Sequence, residues 1–196
     1  ALASAFSFVI MMFNIPIPGG TSGHAIGSAL IAIILGPWSA LISVTMALTV
    51  QALVFGDGGI TALGANSFTM AFIAPFSAYY IYRFIAGRSA VFGRRQKVGA
   101  AMAGYISINL AALATALILG IQPLIATSAT GQPLYFPYSL KVTIMAISGA
   151  HLLFFGVVES LITVLVSGYL AKSKILSLSG PGMIRPQVKE ATVETT

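Results

Sequence analysis

The sequence predicts an all-α integral membrane protein, a helical bundle with six transmembrane helices. The 196-residue chain is 57% hydrophobic and only 7% charged, with a mean hydropathy of +0.95, whereas about a quarter of the residues in soluble domains are charged. No Asp, Glu, Lys or Arg occurs from Ala1 to Gly56, and the stretch from Val98 to Leu140 is equally free of charge. Both stretches exceed the roughly 20 residues that one membrane-spanning helix needs.

Glycine and proline breaks between the apolar runs set the bounds of the predicted helices. Pro16 and Pro18 end the first helix, and Gly36-Pro37 divides an apolar stretch that is too long for one span. The second run is short for a full crossing, so we expect it to be tilted or partly inserted. The six predicted helices are approximately Ala1 to Ile15, Ala25 to Leu35, Trp38 to Phe55, Ala65 to Ile85, Val98 to Leu119 and Tyr138 to Leu170.

The basic residues predict how the bundle is oriented. They are concentrated in Arg83 to Lys97 and in Lys172 to Lys189, and such clusters next to apolar spans are typical of the cytoplasmic face. We therefore interpret the net charge of +6 as a feature of topology and not as a nucleic-acid surface. Residues 1–171 form one predicted membrane domain, and residues 172–196 form a polar cytoplasmic tail. Alternation then places loops 16–24, 56–64 and 120–137 outside.

Several absences restrict the function. The chain has no cysteine, which excludes disulfides, thiolate metal sites and a Cys nucleophile. It lacks both the GxxxxGK[ST] phosphate loop and the HExxH zinc motif, so we do not expect it to hydrolyse ATP by itself. Because the chain opens with Ala1 inside an apolar run, without Met or a basic leader, we expect an upstream segment.

His24 is the leading candidate for a functional residue, in the stretch PIPGGTSGHAIG. A neutral imidazole is the commonest protein ligand for a borderline transition metal, and glycines let the backbone close around a small ion. A hydrogen-bonded or capping histidine at the start of a helix is the alternative. Thr21 and Ser22 are expected either to cap the helix near Ala25 or to orient the imidazole ring.

The second external loop offers two further candidates. Asp57 is the first carboxylate of the chain and precedes Glu159 by more than a hundred residues, so it is either a cation-attracting group or an ordinary turn acid. Asn66 is expected to be the N-cap of the fourth helix, and the alternative is that its amide holds a loop over a ligand.

His151 and Glu159 lie eight residues apart in the last helix, near one face. Ionisable groups inside apolar helices usually face the bundle interior, so a structural polar contact and a role in coupling both remain open. Ser22 in Gly-Thr-Ser-Gly, with His151 as base, would fit an intramembrane serine protease. The expected distance between an external loop and mid-helix argues against that function. An uncoupled secondary transporter is a third option, with a sparse relay of Lys141, His151 and Glu159.

Three segments carry a resemblance to a known family. The stretches FNIPIPGGTSGHAIG, LGPWSALISVTMALTVQALVFGDGGITALGAN and GAHLLFFGVVESLIT resemble the CbiM/NikM family, the substrate-specific (S) components of energy-coupling-factor (ECF) transporters for cobalt or nickel. The similarity extends from Phe8 to Leu170. It implies a non-enzymatic subunit that captures Co²⁺ or Ni²⁺ as transported ligand and needs no cofactor.

The resemblance also implies a site and partners. Family members have seven helices and an outer Met-His amino terminus, whose amine, backbone nitrogen and imidazole hold the metal with a histidine that His24 matches. Met-His and the first family helix have no counterpart in this chain. Ser22, Thr21, Asp57 and Asn66 would then support the site from outside the ligand set. The implied partners are a coupling (T) subunit of CbiQ/NikQ type, two ATPases of CbiO/NikO type, an accessory CbiN-type subunit in some systems, and the lipid bilayer.

Overall fold

The computed structural model describes residues 1–19, 21–87 and 92–173, together with the backbone of residues 176–177 and 185–186. Six helices and a small β-hairpin make up residues 1–173 as described, which confirms the predicted all-α membrane architecture and its helix order. The elements are α1 (Leu2–Met11), β1 (Ile15–Ile17), β2 (Thr21–Gly23), α2 (Ser28–Leu35), α3 (Pro37–Phe55), α4 (Ile60–Ala86), α5 (Arg94–Ile125), α6 (Leu140–Lys172), β3 (Leu176–Ser177) and β4 (Arg185–Pro186).

The helices differ in length, and only some can cross a bilayer. In the described part of the chain, α3, α4, α5 and α6 are long and apolar enough to span a membrane. The ten residues of α1 and the eight residues of α2 rise about 15 Å and 12 Å, well short of the roughly 30 Å hydrocarbon core. Gly36, with φ +86°, ends α2 in a conformation that favours glycine, and Pro37 then opens α3.

The loop predicted between the first two helices contains a β-hairpin. Ile15 pairs with Gly23 and Ile17 with Thr21 in antiparallel register. The first helix ends at Met11, earlier than the predicted Ile15, because Pro16 disfavours helical conformation in the residue before it. Other helices run further than predicted: α4 begins at Ile60, α5 extends from Arg94 to Ile125, and α6 ends at Lys172. The first turn of α5 is polar, so apolar periodicity does not detect it.

Small residues bring the long helices together around α5. Gly104 of α5 lies against α6 so closely that an added Cβ would be 3.0 Å from the backbone oxygen of Glu159. At Gly99 an added Cβ would be 3.1 Å from the Cβ of Ala86 on α4. Such small residues let helix backbones approach closely in membranes, where van der Waals packing drives association.

Three of the long helices contain a π-helical segment, which the sequence pattern does not reveal. These segments are Gln51–Phe55 in α3, Ser67–Ile73 in α4 and His151–Phe155 in α6. π-turns are rare, and they occur frequently at functional sites. Each of the three contributes side chains to the cavity described below.

Parts of both predicted basic regions lie outside the described residues. The loop between α4 and α5 is described except for residues 88–91, and the predicted tail is described to residue 173 and at β3 and β4. Leu176 pairs with Pro186 and Ser177 with Arg185. The predicted polar character of residues 174–175, 178–184 and 187–196 therefore stays a sequence expectation.

Candidate metal centre

The hairpin, the loop after α3 and the four long helices enclose a cavity of about 270 Å³. Aliphatic side chains such as Leu48 and Ile108 form much of its wall. Six of the residues that the sequence nominated line this one cavity, whereas Glu159 lies outside its lining. The polar side chains of the lining are Thr21, Ser22, His24, Gln51, Asp57, Asn66, Thr69, Thr115 and His151.

His24 follows the last residue of β2 and is partly buried. Its Nδ1 lies 3.1 Å from the carbonyl oxygen of Ala25. Because a carbonyl oxygen only accepts hydrogen bonds, Nδ1 carries the proton and Nε2 has the free lone pair in the neutral ring. Burial lowers the pKa of His24 below 6.5, although the Ala25 carbonyl and the charge of Asp57 act in the opposite direction. The ring is therefore neutral at pH 7, the form that binds a metal.

Glu159 holds the chain that follows His24. Its side chain is 1% exposed and accepts hydrogen bonds from the backbone N–H groups of Ile26 at 2.8 Å, Gly27 at 3.0 Å and Ala29 at 3.5 Å. The hydroxyl of Ser7 donates to the carbonyl of Ile26 at 2.8 Å. The peptide after His24 is thus fixed to α6 on one side and to α1 on the other. Sequence reasoning indicated a polar contact for Glu159 but not its partners.

The hairpin reaches deeper than the sequence suggested. Gly23 lies directly against the ring of Phe155, where an added Cβ would overlap the ring. Phe155 is fifteen residues beyond Leu140, a rise of about 22 Å along α6. The expectation that Ser22 lies far from His151 is therefore wrong, because both residues line the same cavity.

Asn66 does not cap a helix. It lies inside α4, which begins at Ile60, and its Nδ2 donates to the carbonyl of Gly58 at 3.3 Å. The predicted N-cap is therefore wrong, and the alternative, an amide that holds the loop, describes the contact. The N–H of Asp57 donates to the carbonyl of Gln51 at 3.0 Å, just after the π-segment of α3, and Asp57 lines the cavity.

Thr21 and Ser22 do not cap α2 either. Both belong to β2, and the N-cap position of α2 is Gly27, which has no side chain to cap with. Ser22 is exposed. Among the described residues no hydrogen bond joins it to His151, whose Nδ1 instead contacts the carbonyl of Ile147 at 2.8 Å. The serine–base pair that a protease requires is not formed.

Within the described ranges, no group of three or more His, Cys, Asp or Glu side chains is arranged to hold a metal ion. Gln51, which sequence reasoning missed, is 4% exposed and lines the cavity from α3. Its burial was not predictable, because nothing in an apolar helix distinguishes an inward-facing glutamine from a lipid-facing one before the packing is known.

The fold and this cavity define a multi-pass helical membrane protein with a neutral imidazole in a pocket between its helices. The chain belongs to the CbiM family, described as cobalt uptake substrate-specific transmembrane region, which matches residues 1–175. This match confirms the resemblance that the three sequence segments indicate.

Individual relatives agree with the family match. The chain is 49% identical over 165 residues to the probable fused nickel transport protein LarMN of Lactiplantibacillus plantarum, covering 84% of this chain and 49% of that protein. It is 43% identical over 194 residues to the fused nickel transport protein NikMN of Rhodobacter capsulatus, covering 99% and 54%. The chain thus spans about half the length of these curated relatives. A crystal structure of a truncated transition metal transporter is 57% identical, with a TM-score of 0.83, and the match covers 88% of this chain and 79% of that one.

Proposed function

We propose that this chain captures Co²⁺ or Ni²⁺ for an ATP-driven uptake transporter of the ECF class, and that His24 is one of the metal ligands. The observation that carries the proposal is the state of His24: a neutral imidazole inside the bundle, with Nδ1 held by the Ala25 carbonyl and Nε2 left for a ligand. A hydrogen bond at the second nitrogen is the usual way in which a protein orients a metal-binding histidine.

The donor chemistry supports these ions over others. Imidazole nitrogen suits Ni²⁺ and Co²⁺, whereas Mg²⁺ and Ca²⁺ prefer oxygen ligands. Relatives named as nickel transport proteins and as cobalt transport proteins CbiM agree with this choice without separating the two ions. The remaining nitrogen donors come, in this proposal, from an upstream Met-His segment. Asp57, Asn66, Thr21 and Ser22 shape the cavity that receives it.

The transport direction and the partners form the second part of the proposal. The hairpin side faces away from the cytoplasm, and the basic ends of α4, α5 and α6 face the cytoplasm. A coupling subunit of CbiQ/NikQ type and two ATPases of CbiO/NikO type supply the energy. The fused relatives, about twice as long as the matched region, support an additional CbiN-type component. This chain itself contributes binding and translocation and no catalysis.

Equilibrium dialysis in detergent micelles tests the metal site. The polypeptide as the cell produces it is expected to bind Ni²⁺ and Co²⁺, and His24→Ala is expected to lose that binding. Thr130→Ala changes an exposed loop residue outside the cavity lining, and it should bind like the wild type. Thermal unfolding of each variant verifies that the fold is intact. Unchanged affinity in a folded His24→Ala protein would contradict the proposal.

Energy coupling needs a separate test in vesicles. Uptake of radioactive nickel is expected with the ATPase partners and ATP, and it should stop when ATP is omitted. Uptake by this chain alone, down a gradient and without partners, would identify an uncoupled transporter instead.

A further inference from the structure

We propose that one end of the helix bundle is a binding surface for the phosphate groups of anionic phospholipids. The surface consists of Arg83 in the last turn of α4, Arg94 and Lys97 at the start of α5, and Lys172 at the end of α6. We call these four residues the basic end. The inference is independent of the metal site, because the described lining of the cavity around His24 contains none of them.

Contacts between three helices hold the basic end together. The Nε2 of Gln96 donates to the carbonyl of Ala86, the last residue of α4, at 3.3 Å, and its Oε1 accepts a hydrogen bond from the N–H of Gly93 at 3.0 Å. On the other side, an added Cβ at Gly168 of α6 would lie 3.4 Å from the ring of Phe92. The end of α4, the start of α5 and the last turns of α6 therefore form one continuous surface.

The positive charge of the basic end is not balanced by acidic residues in the described part of the chain. Asp57 and Glu159 are the two acidic residues of residues 1–19, 21–87 and 92–173. Asp57 lines the cavity, and the carboxylate of Glu159 is buried against the start of α2. A surface that concentrates one sign of charge attracts ions of the opposite sign from its surroundings.

The start of α5 is an unfavourable place for so many cations. Its first turn contains Arg94, Arg95 and Lys97 and no acidic residue, although a helix N-terminus already has a partial positive charge. Arg95 has a role within the fold, because its Nε donates to the carbonyl of Ile85 near the end of α4, where a cation is favourable. Arg94 and Lys97 are exposed. A phosphate group beside them would be attracted both by their charges and by the helix terminus.

Exposed aromatic residues indicate that the basic end lies at the level of the lipid headgroups. Tyr80 and Phe84 are exposed near the end of α4, and Tyr169 is exposed in the last turn of α6. Tyrosine is enriched at membrane–water interfaces. The hydroxyl of Tyr79 accepts a hydrogen bond from Nη1 of Arg83 at 2.9 Å, which holds this guanidinium at the same level. The anions there are lipid phosphates, and basic clusters next to a spanning helix are attracted to anionic lipids.

Trp38 makes the proposal measurable by fluorescence. It is the single tryptophan of this sequence and is 68% exposed, and its ring centroid lies 5.0 Å from that of Phe76 on α4. Phe76 precedes Ala86 by ten residues, a rise of about 15 Å, so Trp38 lies in the half of the span next to the basic end. Arg83 follows Phe76 by seven residues and therefore lies on the same face of α4. A lipid bound there has its acyl chains beside Trp38.

The test uses the polypeptide as the cell produces it, in vesicles of phosphatidylcholine and phosphatidylglycerol. Any tryptophan outside this sequence is replaced by phenylalanine. Quenching of Trp38 by brominated phosphatidylglycerol is compared with quenching by brominated phosphatidylcholine, and the ratio of the two binding constants gives the preference for the anionic lipid. We expect a ratio of at least about five, the effect of one basic residue at an anionic surface.

Two exposed lysines of α6 provide a matched pair of substitutions. Lys172→Gln and Lys141→Gln each remove one positive charge, from opposite ends of the same helix. We expect Lys172→Gln to lower the ratio and Lys141→Gln to leave it unchanged. The triple variant Arg94→Gln, Lys97→Gln and Lys172→Gln should lose most of the preference. The three side chains are exposed, so these variants should stay folded, and thermal unfolding verifies that they do.

Three results would overturn the inference. Equal quenching by the two lipids in the wild type would mean that the basic end does not select anionic lipid, and a protein partner would then be the better occupant. An unchanged preference in the triple variant would mean that the anionic lipid binds elsewhere. An equal loss in Lys172→Gln and Lys141→Gln would indicate a general effect of net charge. None of these results bears on Ni²⁺ binding at His24, so the proposed function is tested separately.

Discussion

Glu159 accepts hydrogen bonds from the backbone N–H groups of Ile26, Gly27 and Ala29 around the start of α2, which begins without a capping side chain. The start of a helix carries unsatisfied donors and a partial positive charge, so a carboxylate there is stabilising. In this protein the carboxylate comes from α6, more than 130 residues along the chain from Ile26. Together with Ser7, which donates to the carbonyl of Ile26, Glu159 thereby fixes the peptide after His24 between the helices.

Replacement of Glu159 tests whether its hydrogen bonds hold the peptide after His24 in place. Glu159→Ala leaves three buried N–H groups without their acceptor, and each unsatisfied group costs about 1–3 kcal/mol. We expect the free energy of unfolding to fall by about 3 kcal/mol or more and Ni²⁺ binding to weaken with it. Glu159→Gln retains one carbonyl acceptor and should lose less. Trp38, the single tryptophan, reports unfolding by fluorescence in micelles. An unchanged unfolding midpoint in Glu159→Ala would contradict this role.

The sequence shows which residues have side chains suited to binding or hydrogen bonding, but it does not show which atoms those side chains contact. His24 stands out because an imidazole is rare in so apolar a chain, and the structure places it in a cavity. The partners of Glu159 were not predictable, because hydrogen bonds between segments so far apart in sequence depend on tertiary packing. Asn66 illustrates the same limit: its amide holds Gly58, while sequence position favoured a helix cap.

At the scale of elements, the apolar pattern predicted the helices better than their ends or their irregularities. A backbone that crosses lipid must satisfy its N–H and C=O groups within the protein, and a helix does so. Long apolar runs therefore predict helices reliably. The hairpin depends instead on contacts such as Gly23 with Phe155. The π-turn at His151 depends on Tyr105 and Asn109 of another helix, and no local sequence pattern specifies it.

The packing of the hairpin against Phe155 can be tested by adding a methyl group at Gly23. Gly23→Ala puts a methyl group into the space of the Phe155 ring, and such overpacking costs about 1–3 kcal/mol. We expect a lower unfolding midpoint and weaker Ni²⁺ binding. Gly64→Ala is the matched control, since nothing lies within 4 Å of an added Cβ there, and it should unfold like the wild type.

A second substitution shows whether Phe155 causes the effect. Phe155→Leu shortens the ring that meets Gly23, so the double variant Gly23→Ala with Phe155→Leu should lose less stability than the sum of the single variants. Such non-additivity is the signature of direct contact. Strict additivity would mean that the hairpin does not pack on Phe155.

In the described part of the chain, four long helices combine with the short α1, the hairpin and α2, of which α2 is mostly buried and α1 leaves residues such as Leu2 and Val9 exposed. The sequence predicted the membrane class and the helix count, because composition and apolar run length follow directly from the bilayer as solvent. It did not predict the cavity, which forms only where α3, α4, α5 and α6 leave room beside the inserted hairpin. The proposed direction of transport depends on which side of the membrane each end of α6 faces.

The absence of cysteine allows a direct test of that orientation. Ala129→Cys lies in the exposed loop before α6, and Ser173→Cys lies just after its last residue, Lys172. Because α6 crosses the membrane once between them, the two positions are expected on opposite sides, and the basic clusters place Ser173 in the cytoplasm. A membrane-impermeant maleimide should label Ala129→Cys in intact cells and Ser173→Cys only after permeabilisation. Labelling of both in intact cells would contradict α6 as a span, and the reversed pattern would contradict capture of the metal from outside.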